Sequence, residues 1–499
     1  MTKTATAVLG ICGLTSLALW ASIPAVGPLR GLPLLAYLPR YFAAFAIYLG
    51  AIVILFRSLP HASKTPGAKQ TGHTLALVII WLFANLFRLP LLTRPPNFSD
   101  DVYRYIWDGR VQNAGVNPYA HRVDSPALDY LATPNRALIN NPNMASPYLP
   151  VAQVMFATVY RLAPESATAF QAAAMVFDLL TGLLLMFTLK QLGRPPEWSL
   201  IYLWNPLVVV EFAHGAHVDA LMTMLMMAGL LATLGKRPLR VTDDRRSSVV
   251  IRAEWLSFFS PVFFGLATLV KPIPALLLPL LAPRWGWKRT ALYGATVLIG
   301  LLPYAGAGLG LTGDITAGTG LFGATRIYLA WWNFNGGLYH WLEVLVTGYQ
   351  TEGAVPIDTP GVELAKTISR VTLLAILALV FWRELKRVRA GRDYAPPSWL
   401  LPIAAYLLLA PTVHPWYLIP LAALLPLTVE DSPSPRRLIA LLAWLYFCAS
   451  VALSYLTYFN PNDFRETELT RRWEYLPLYA LLILAALWPR RTAVRSAEP

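Results

Sequence analysis

Apolar stretches of about 20 residues recur along the whole chain, separated by short polar connections. Runs at 7–26, 41–57, 74–93, 167–191, 199–213, 217–235, 255–271, 273–283, 289–308, 364–385, 397–411, 413–429, 437–457 and 474–489 each read as a helix in lipid. Backbone groups in a bilayer must be satisfied within their own segment, which selects helices. Strands of a membrane barrel would alternate apolar and polar residues, and these runs do not. The pattern predicts an all-α, polytopic transmembrane helical bundle: one membrane domain over 1–499, with roughly 13–14 crossings, extracytoplasmic loops and short juxtamembrane helices. The pair 255–271 and 273–283 also fits a re-entrant hairpin. The first run follows Lys3 and is longer than the core of a cleaved signal, so it reads as an uncleaved first span.

Lysine and arginine set the orientation. With the N-terminus in the cytoplasm, the inner loops receive Arg57, Lys64 and Lys69, then Lys190 and Arg194, then Lys236, Arg237, Arg240, Arg245, Arg246 and Arg252. Arg284, Lys288, Arg289, the run RELKRVRAGR (383–392), Arg436, Arg437, Arg490, Arg491 and Arg495 fall on the same side. This holds only if SPYLPVAQVMFATVYRLAP (146–164) does not cross, so that segment is expected to lie at the outer surface or dip into it. Both termini are then cytoplasmic. Two large outer loops follow, 94–166 and 309–363. No internal repeat supports an inverted-repeat transporter.

Composition agrees: 56% of the 499 residues are hydrophobic and 14% charged, against about 25% charged in soluble proteins. Net charge is +14, but the excess sits in short loops, which argues for orientation in a membrane and against nucleic acid as a partner. Cys12 and Cys448 both lie inside apolar runs and suggest neither a disulfide framework nor a metal cluster.

The polar residues that are not orientation signals converge on the outer side. NFSDDVYRYIWDGRVQNAGVNPY (97–119) follows the third apolar run and places Asp100 and Asp101 at the membrane edge, with Arg104, Tyr105, Asp108 and Arg110 just beyond. A partly desolvated carboxylate there suits a general base for a hydroxyl; the plainer reading is a helix cap, since Ser and Asp are favoured N-caps. EFAHGAHVDA (211–220) contributes His214, His217 and Asp219. The HxxHxD spacing is compatible with a divalent metal, although hydrogen bonds to a sugar or phosphate, or a polar bundle contact, serve equally. Lys271 sits in an apolar run and must either snorkel to headgroups or meet an anion such as phosphate. Arg326, His340 and His414 are further cations or donors, with Asn335 close by in NGGLYHWLE. Trp416, Tyr417, Trp331, Trp332, Tyr339 and Trp341 suit an interfacial aromatic belt, a sugar platform or a lipid groove.

SDDVYRYIWDGRVQNAGVNPY (99–119) resembles the first outer loop of the GT-C superfamily of membrane glycosyltransferases, in particular bacterial polyprenyl-phosphate-mannose-dependent transferases. HVDALMTMLMMAGL (217–230), LVKPIPALLLPLL (269–281), NGGLYHWLE (335–343) and HPWYLIPL (414–421) are similar to later segments of that family. The loop follows a third apolar run here, where many members place it after the first. The resemblance implies a polyprenyl-phosphate sugar donor, a lipid or glycan acceptor, and inverting transfer of a monosaccharide, mannose by analogy, at the outer face of the cytoplasmic membrane. Asp100 or Asp101 would be the base, with Asp100 slightly favoured because Asp101 lies one residue deeper in the helix; Lys271 would steady the leaving phosphate. No cofactor is required. The alternatives are a transporter or flippase of a lipid-linked sugar, and an O-antigen-ligase-like enzyme that moves a whole glycan.

Overall fold

The structure is a computed structural model that describes residues 1–23, 32–59, 71–92, 94–96, 98–235, 239–240, 250–251, 256–348, 360–430, 433–459 and 466–489. The orientation signals Lys64, Lys69, Lys236, Arg237, Arg245, Arg246, Arg252, Arg490, Arg491 and Arg495, and Asn97 at the head of the first outer motif, lie outside the described residues. The helices are α1 (Lys3–Ala21), α2 (Leu32–Ser58), α3 (Thr71–Leu92), α4 (Asp101–Asn113), α5 (Pro150–Leu162), α6 (Ala167–Gln191), α7 (Leu200–Leu203), α8 (Pro206–Val209) and α9 (Asp219–Thr233). After them come α10 (Leu256–Thr268), α11 (Leu278–Leu301), α12 (Gly323–Trp331), α13 (Leu338–Thr347), α14 (Pro360–Arg389), α15 (Leu400–Leu409), α16 (Ile419–Leu424), α17 (Pro435–Ser450) and α18 (Glu468–Leu487). Leu239–Arg240 and Val250–Ile251 form a short antiparallel pair.

The architecture is an all-α polytopic bundle. Among the described residues seven helical stretches are long and apolar enough to cross a membrane: Lys3–Ala21, Pro33–Ser58, His73–Leu92, Ala167–Gln191, Ile273–Ala307, Pro360–Arg389 and Pro435–Tyr458. Four shorter apolar helices, Asp219–Thr233, Leu256–Thr268, Pro396–Leu409 and Pro415–Thr428, pack among them. Leu14, Val78, Leu374 and Ile483 point outward, more than half exposed, as a lipid-facing surface requires.

Helix ends follow local chemistry. Ser166 caps α6 by accepting from the Ala169 amide, and Thr467 caps α18 by accepting from Thr470. The run 199–213 is not one helix. Asn205 precedes Pro206, a pairing that disfavours the helical conformation, and the chain divides into α7, α8 and a π-helical turn at Val210–His214. Asn205 Oδ1 accepts from the Leu207 amide and restarts the helix. Gly286 (φ 73°) interrupts α11, so the stretch Ile273–Ala307, apolar and long enough as a whole, is two helical pieces joined at that residue.

α9, buried along most of its length, packs on α6, α10 and α16. Arg88 of α3 and Asp178 of α6 are fully buried and paired at 2.5 Å, with Arg88 also donating to the carbonyls of Ala84 (2.6 Å) and Leu203 (3.1 Å). Charges inside a bilayer pair in this way. α5 spans only 13 residues, about 20 Å, too little to cross the roughly 30 Å hydrocarbon core. It packs on α4, and the loop around them has its own small core of Trp107, Val111, Val123, Leu128, Leu131 and Ile139.

Candidate active site

One end of α9 gathers the chemistry. The π-helical turn leaves Gly215 bonded back to the Val210 carbonyl at 2.9 Å, and Ala216 adopts a left-handed φ of 57°. This reversal turns Glu211 and His217 toward each other and sets Asp219 in the first turn of α9, where the helix N-terminus favours a negative charge. A Cβ on Gly215 would lie 2.8 Å from both the Glu211 carbonyl oxygen and His217 Cδ2, so the turn accepts only glycine without displacement.

His217 Nε2 is 3.3 Å from Glu211 Oε2, and its Nδ1 is 3.7 Å from Asp101 Oδ2. Glu211 is fixed from behind by the Tyr455 hydroxyl, which donates to its Oε1 at 2.6 Å. The His217 ring stacks on Trp416, centroids 3.8 Å apart and planes 21° apart. His414 stacks on Trp416 from another position, at 4.5 Å and 1°, and Phe334 covers His414 at 4.7 Å. Lys271 Nζ donates to Asp219 Oδ2 at 2.6 Å and lies over the rings of Tyr417 (5.4 Å) and Tyr148 (5.9 Å). The hydroxyls of Tyr417 and Tyr328 are 2.8 Å apart. Tyr105 accepts a long bond from the Val218 amide at 3.5 Å, and Tyr148 faces Asp101 and Tyr105.

Exposure separates the acids. Asp219 and Glu211 are at most 1% exposed and already engaged, whereas the Asp101 side chain is 17% exposed. Lys271 keeps 14% exposure beside Asp219. The cluster therefore presents one reachable carboxylate and one reachable ammonium, framed by aromatic faces. At the head of α4, Ser99 Oγ accepts from the Asp101 amide at 3.2 Å. Asp100 is the N-cap residue by position and lies near Tyr103. The capping and acidic readings of SDD thus coexist: the serine takes the helix end and Asp101 faces the cluster, although the sequence favoured Asp100.

Of the residues singled out from sequence, the fold brings together Asp101, Tyr105, His217, Asp219, Lys271, His414, Trp416 and Tyr417. Others serve elsewhere. Arg104 pairs with Asp108 at 2.9 Å one turn on, and Asp108 also accepts from Ser146 and Gln153, so both belong to a buried network under the loop. Arg110 donates to the Leu131 carbonyl (2.7 Å), Tyr160 (2.8 Å) and Glu165 (3.3 Å). Arg326 donates to the carbonyls of Gly310, Thr312 and Gly313 and ties the second loop. His214 Nε2 meets the Pro95 carbonyl at 3.0 Å. Asn335, with a left-handed φ of 50°, donates to Glu474 at 2.7 Å and accepts from Tyr475 at 2.7 Å. His340 bonds Glu468 at 3.1 Å; burial and then the nearby Arg471 hold its pKa below the usual value.

Sequence reasoning did not single out Glu211, Tyr148, Tyr328 or Tyr455. Glu211 stood inside the quoted EFAHGAHVDA, where its interruption of an apolar run was the available signal. The tyrosines are indistinguishable in sequence from an aromatic belt. Among the described residues, no three of His, Cys, Asp and Glu are disposed to hold a metal ion.

A multi-pass helical bundle with a carboxylate, a lysine and stacked aromatic rings at one end fits the class of membrane glycosyltransferases. Residues 4–287 match the family described as alpha-(1->6)-mannopyranosyltransferase, N-terminal domain. Alpha-(1->6)-mannopyranosyltransferase A of Mycobacterium tuberculosis is 26% identical over 434 residues, covering 81% of this chain and 74% of that protein. A second alpha-(1->6)-mannopyranosyltransferase of the same organism is 26% identical over 410 residues, covering 72% and 67%. Alpha-(1->6)-mannopyranosyltransferase B of Corynebacterium glutamicum is 24% identical over 384 residues, covering 72% and 60%. No solved structure matches. The chain belongs to the alpha-(1->6)-mannopyranosyltransferase family and is a multi-pass membrane enzyme of mannosyl transfer, working on a sugar donor and a glycan or lipid acceptor. The transport alternative thereby gives way to catalysis.

Proposed function

We propose that this enzyme transfers mannose from a polyprenyl-phosphate donor to the 6-hydroxyl of a mannoside on a lipid or glycan acceptor, with inversion, at the extracytoplasmic face. The observation that carries the reading is Asp101: the reachable carboxylate of the cluster, 3.7 Å from a buried histidine and close to the Asp219–Lys271 pair. The names of the relatives support the sugar and the linkage. Positive-inside counting supports the outer placement of the site and cytoplasmic termini.

In this scheme the acceptor hydroxyl gives its proton to Asp101, and its oxygen attacks the anomeric carbon of the donor. The bond from that carbon to the phosphate oxygen breaks on the opposite face, and the lipid phosphate leaves with the electron pair. Lys271, held in place by Asp219, steadies the charge that develops there. His217, stacked on Trp416 and 3.3 Å from Glu211, stands behind the Asp101 carboxylate at 3.7 Å and limits the space it can move into. Tyr417, half-buried beside Lys271, offers a face for the sugar ring, while Trp416 is covered by His217 and His414. A phosphate is already a good leaving group, so Asp101 is the only proton acceptor the step requires.

The test incubates purified protein and a synthetic mannoside acceptor with either polyprenyl-phosphate mannose or GDP-mannose, and determines the product linkage by mass analysis. The reading expects a mannosyl-1,6-mannoside from the lipid donor alone. Efficient transfer from GDP-mannose without a lipid carrier would refute it.

A further inference from the structure

At the far end of α9 from Asp219, about 22 Å along the helix, the bundle holds a cavity of about 560 Å³ that the transfer reaction does not use. α10 runs back the opposite way, from Ser257 at the cavity to Thr268, three residues before Lys271. Arg194, Arg284, Arg289 and Arg392 line the cavity, together with Gln191 and Trp285.

These arginines differ in what they hold. Arg284 builds the wall: it pairs with Glu384, donates to the carbonyls of Arg392 and Asp393 at 3.1 Å each, and stacks on Tyr394 at 4.1 Å. Arg289, among the described residues, makes one long bond, 3.4 Å to Ser257 Oγ. Arg392 uses its carbonyl in the wall, while its side chain is exposed. Two wall residues carry unsatisfied groups. Among the described residues, Gln191, 9% exposed, has no partner for either amide atom, and Trp285, 7% exposed, has none for its indole N–H. The donors open to the cavity are the guanidinium groups of Arg289 and Arg392, which have no acidic partner among the described residues, and such groups favour an anionic ligand.

The level of the cavity identifies its source. Trp287, next to the wall, is 77% exposed with the Lys288 ammonium 5.8 Å over its ring. Trp382 on α14 is 50% exposed with Lys386 at 3.6 Å. Exposed tryptophan with lysine at a helix end marks headgroup depth. We propose that this cavity binds the phosphodiester headgroup of an anionic phospholipid from the leaflet opposite the catalytic cluster, with Arg289 and Arg392 as the phosphate donors. Basic pockets between membrane helices are suited to such headgroups. The lipid would join α6, α9 and α10 to α11 and α14.

The test is native mass spectrometry of delipidated protein titrated with phosphatidylglycerol, phosphatidylcholine or glycerol 3-phosphate. Wild type should take up one phosphatidylglycerol in preference to phosphatidylcholine. The double variant Arg289→Ala/Arg392→Ala should bind that lipid at least tenfold more weakly at unchanged melting temperature. Equal uptake by both proteins overturns the site. Glycerol 3-phosphate binding as tightly as the lipid overturns the lipid source in favour of a soluble phosphate. Should the double variant not fold, photoactivatable phosphatidylglycerol on wild type decides: cross-links to the Arg284–Arg289 peptide support the proposal, and cross-links confined to other peptides refute it.

Discussion

The Asp101 carboxylate stands 3.7 Å from Nδ1 of His217, a ring that is fully buried and stacked on Trp416. The contact joins the loop that bears α4 to the broken helix that leads into α9. The Asp101 side chain keeps 17% exposure there, while the ring beside it is wholly inside.

Lys271 is predicted to act through its pairing with Asp219. Lys271→Met removes the cation and leaves a fully buried carboxylate unpaired, a change that costs about 3–5 kcal/mol in buried pairs. Melting temperature should fall and the donor KM should rise. Lys271→Met/Asp219→Leu should recover much of the stability and none of the donor affinity. Titration of a non-hydrolysable donor analogue, together with thermal unfolding in detergent, measures both.

Gly215→Ala tests the turn. The added methyl meets the Glu211 carbonyl oxygen and the His217 ring at 2.8 Å, and overpacking of this kind typically costs about 1–3 kcal/mol. Because the displaced group is His217, kcat should fall more than stability does. A variant with wild-type kcat would mean that the position of His217 is immaterial.

Arg88 and Asp178 are expected to be structural alone. Arg88→Met should lower stability by roughly 3–5 kcal/mol, and Arg88→Met/Asp178→Leu should restore most of it, since a buried pair is often replaceable by apolar residues. Turnover per folded molecule should stay at the wild-type value in both, as read by activity normalised to the monodisperse fraction.

Orientation is open to labelling. In a protein freed of Cys12 and Cys448, a Thr312→Cys variant should react with an impermeant thiol reagent from outside, and an Ala390→Cys variant only after the membrane is opened. Both positions are exposed. The reverse pattern would invert the scheme.

Long spans were legible because they are governed by one local rule. The run 167–191 coincides with α6, whose cap, Ser166, is in the sequence. The run 199–213 was not legible as a broken helix: every residue there is buried, so hydropathy looks continuous while Asn205–Pro206 and the π-helical turn divide it. At the site, His217, Asp219 and Lys271 stood out because polar groups in apolar runs are rare. Arg104 and Asp108 stood out as charges clustered just past the third apolar run, yet they satisfy each other one turn apart, a spacing already visible in the sequence. That Tyr455 braces Glu211 across 244 residues is a tertiary fact with no local signature.

The most direct test of the account is turnover of Asp101→Asn beside Asp100→Asn, with donor affinity and melting temperature measured on the same preparations. Asparagine keeps the size of the side chain and caps about as well as aspartate, so both variants should fold. The account predicts that Asp101→Asn loses about a hundredfold to ten-thousandfold in kcat with donor binding retained, the usual contribution of a general base, while Asp100→Asn stays within a few fold of wild type. Near-normal turnover in Asp101→Asn would contradict it.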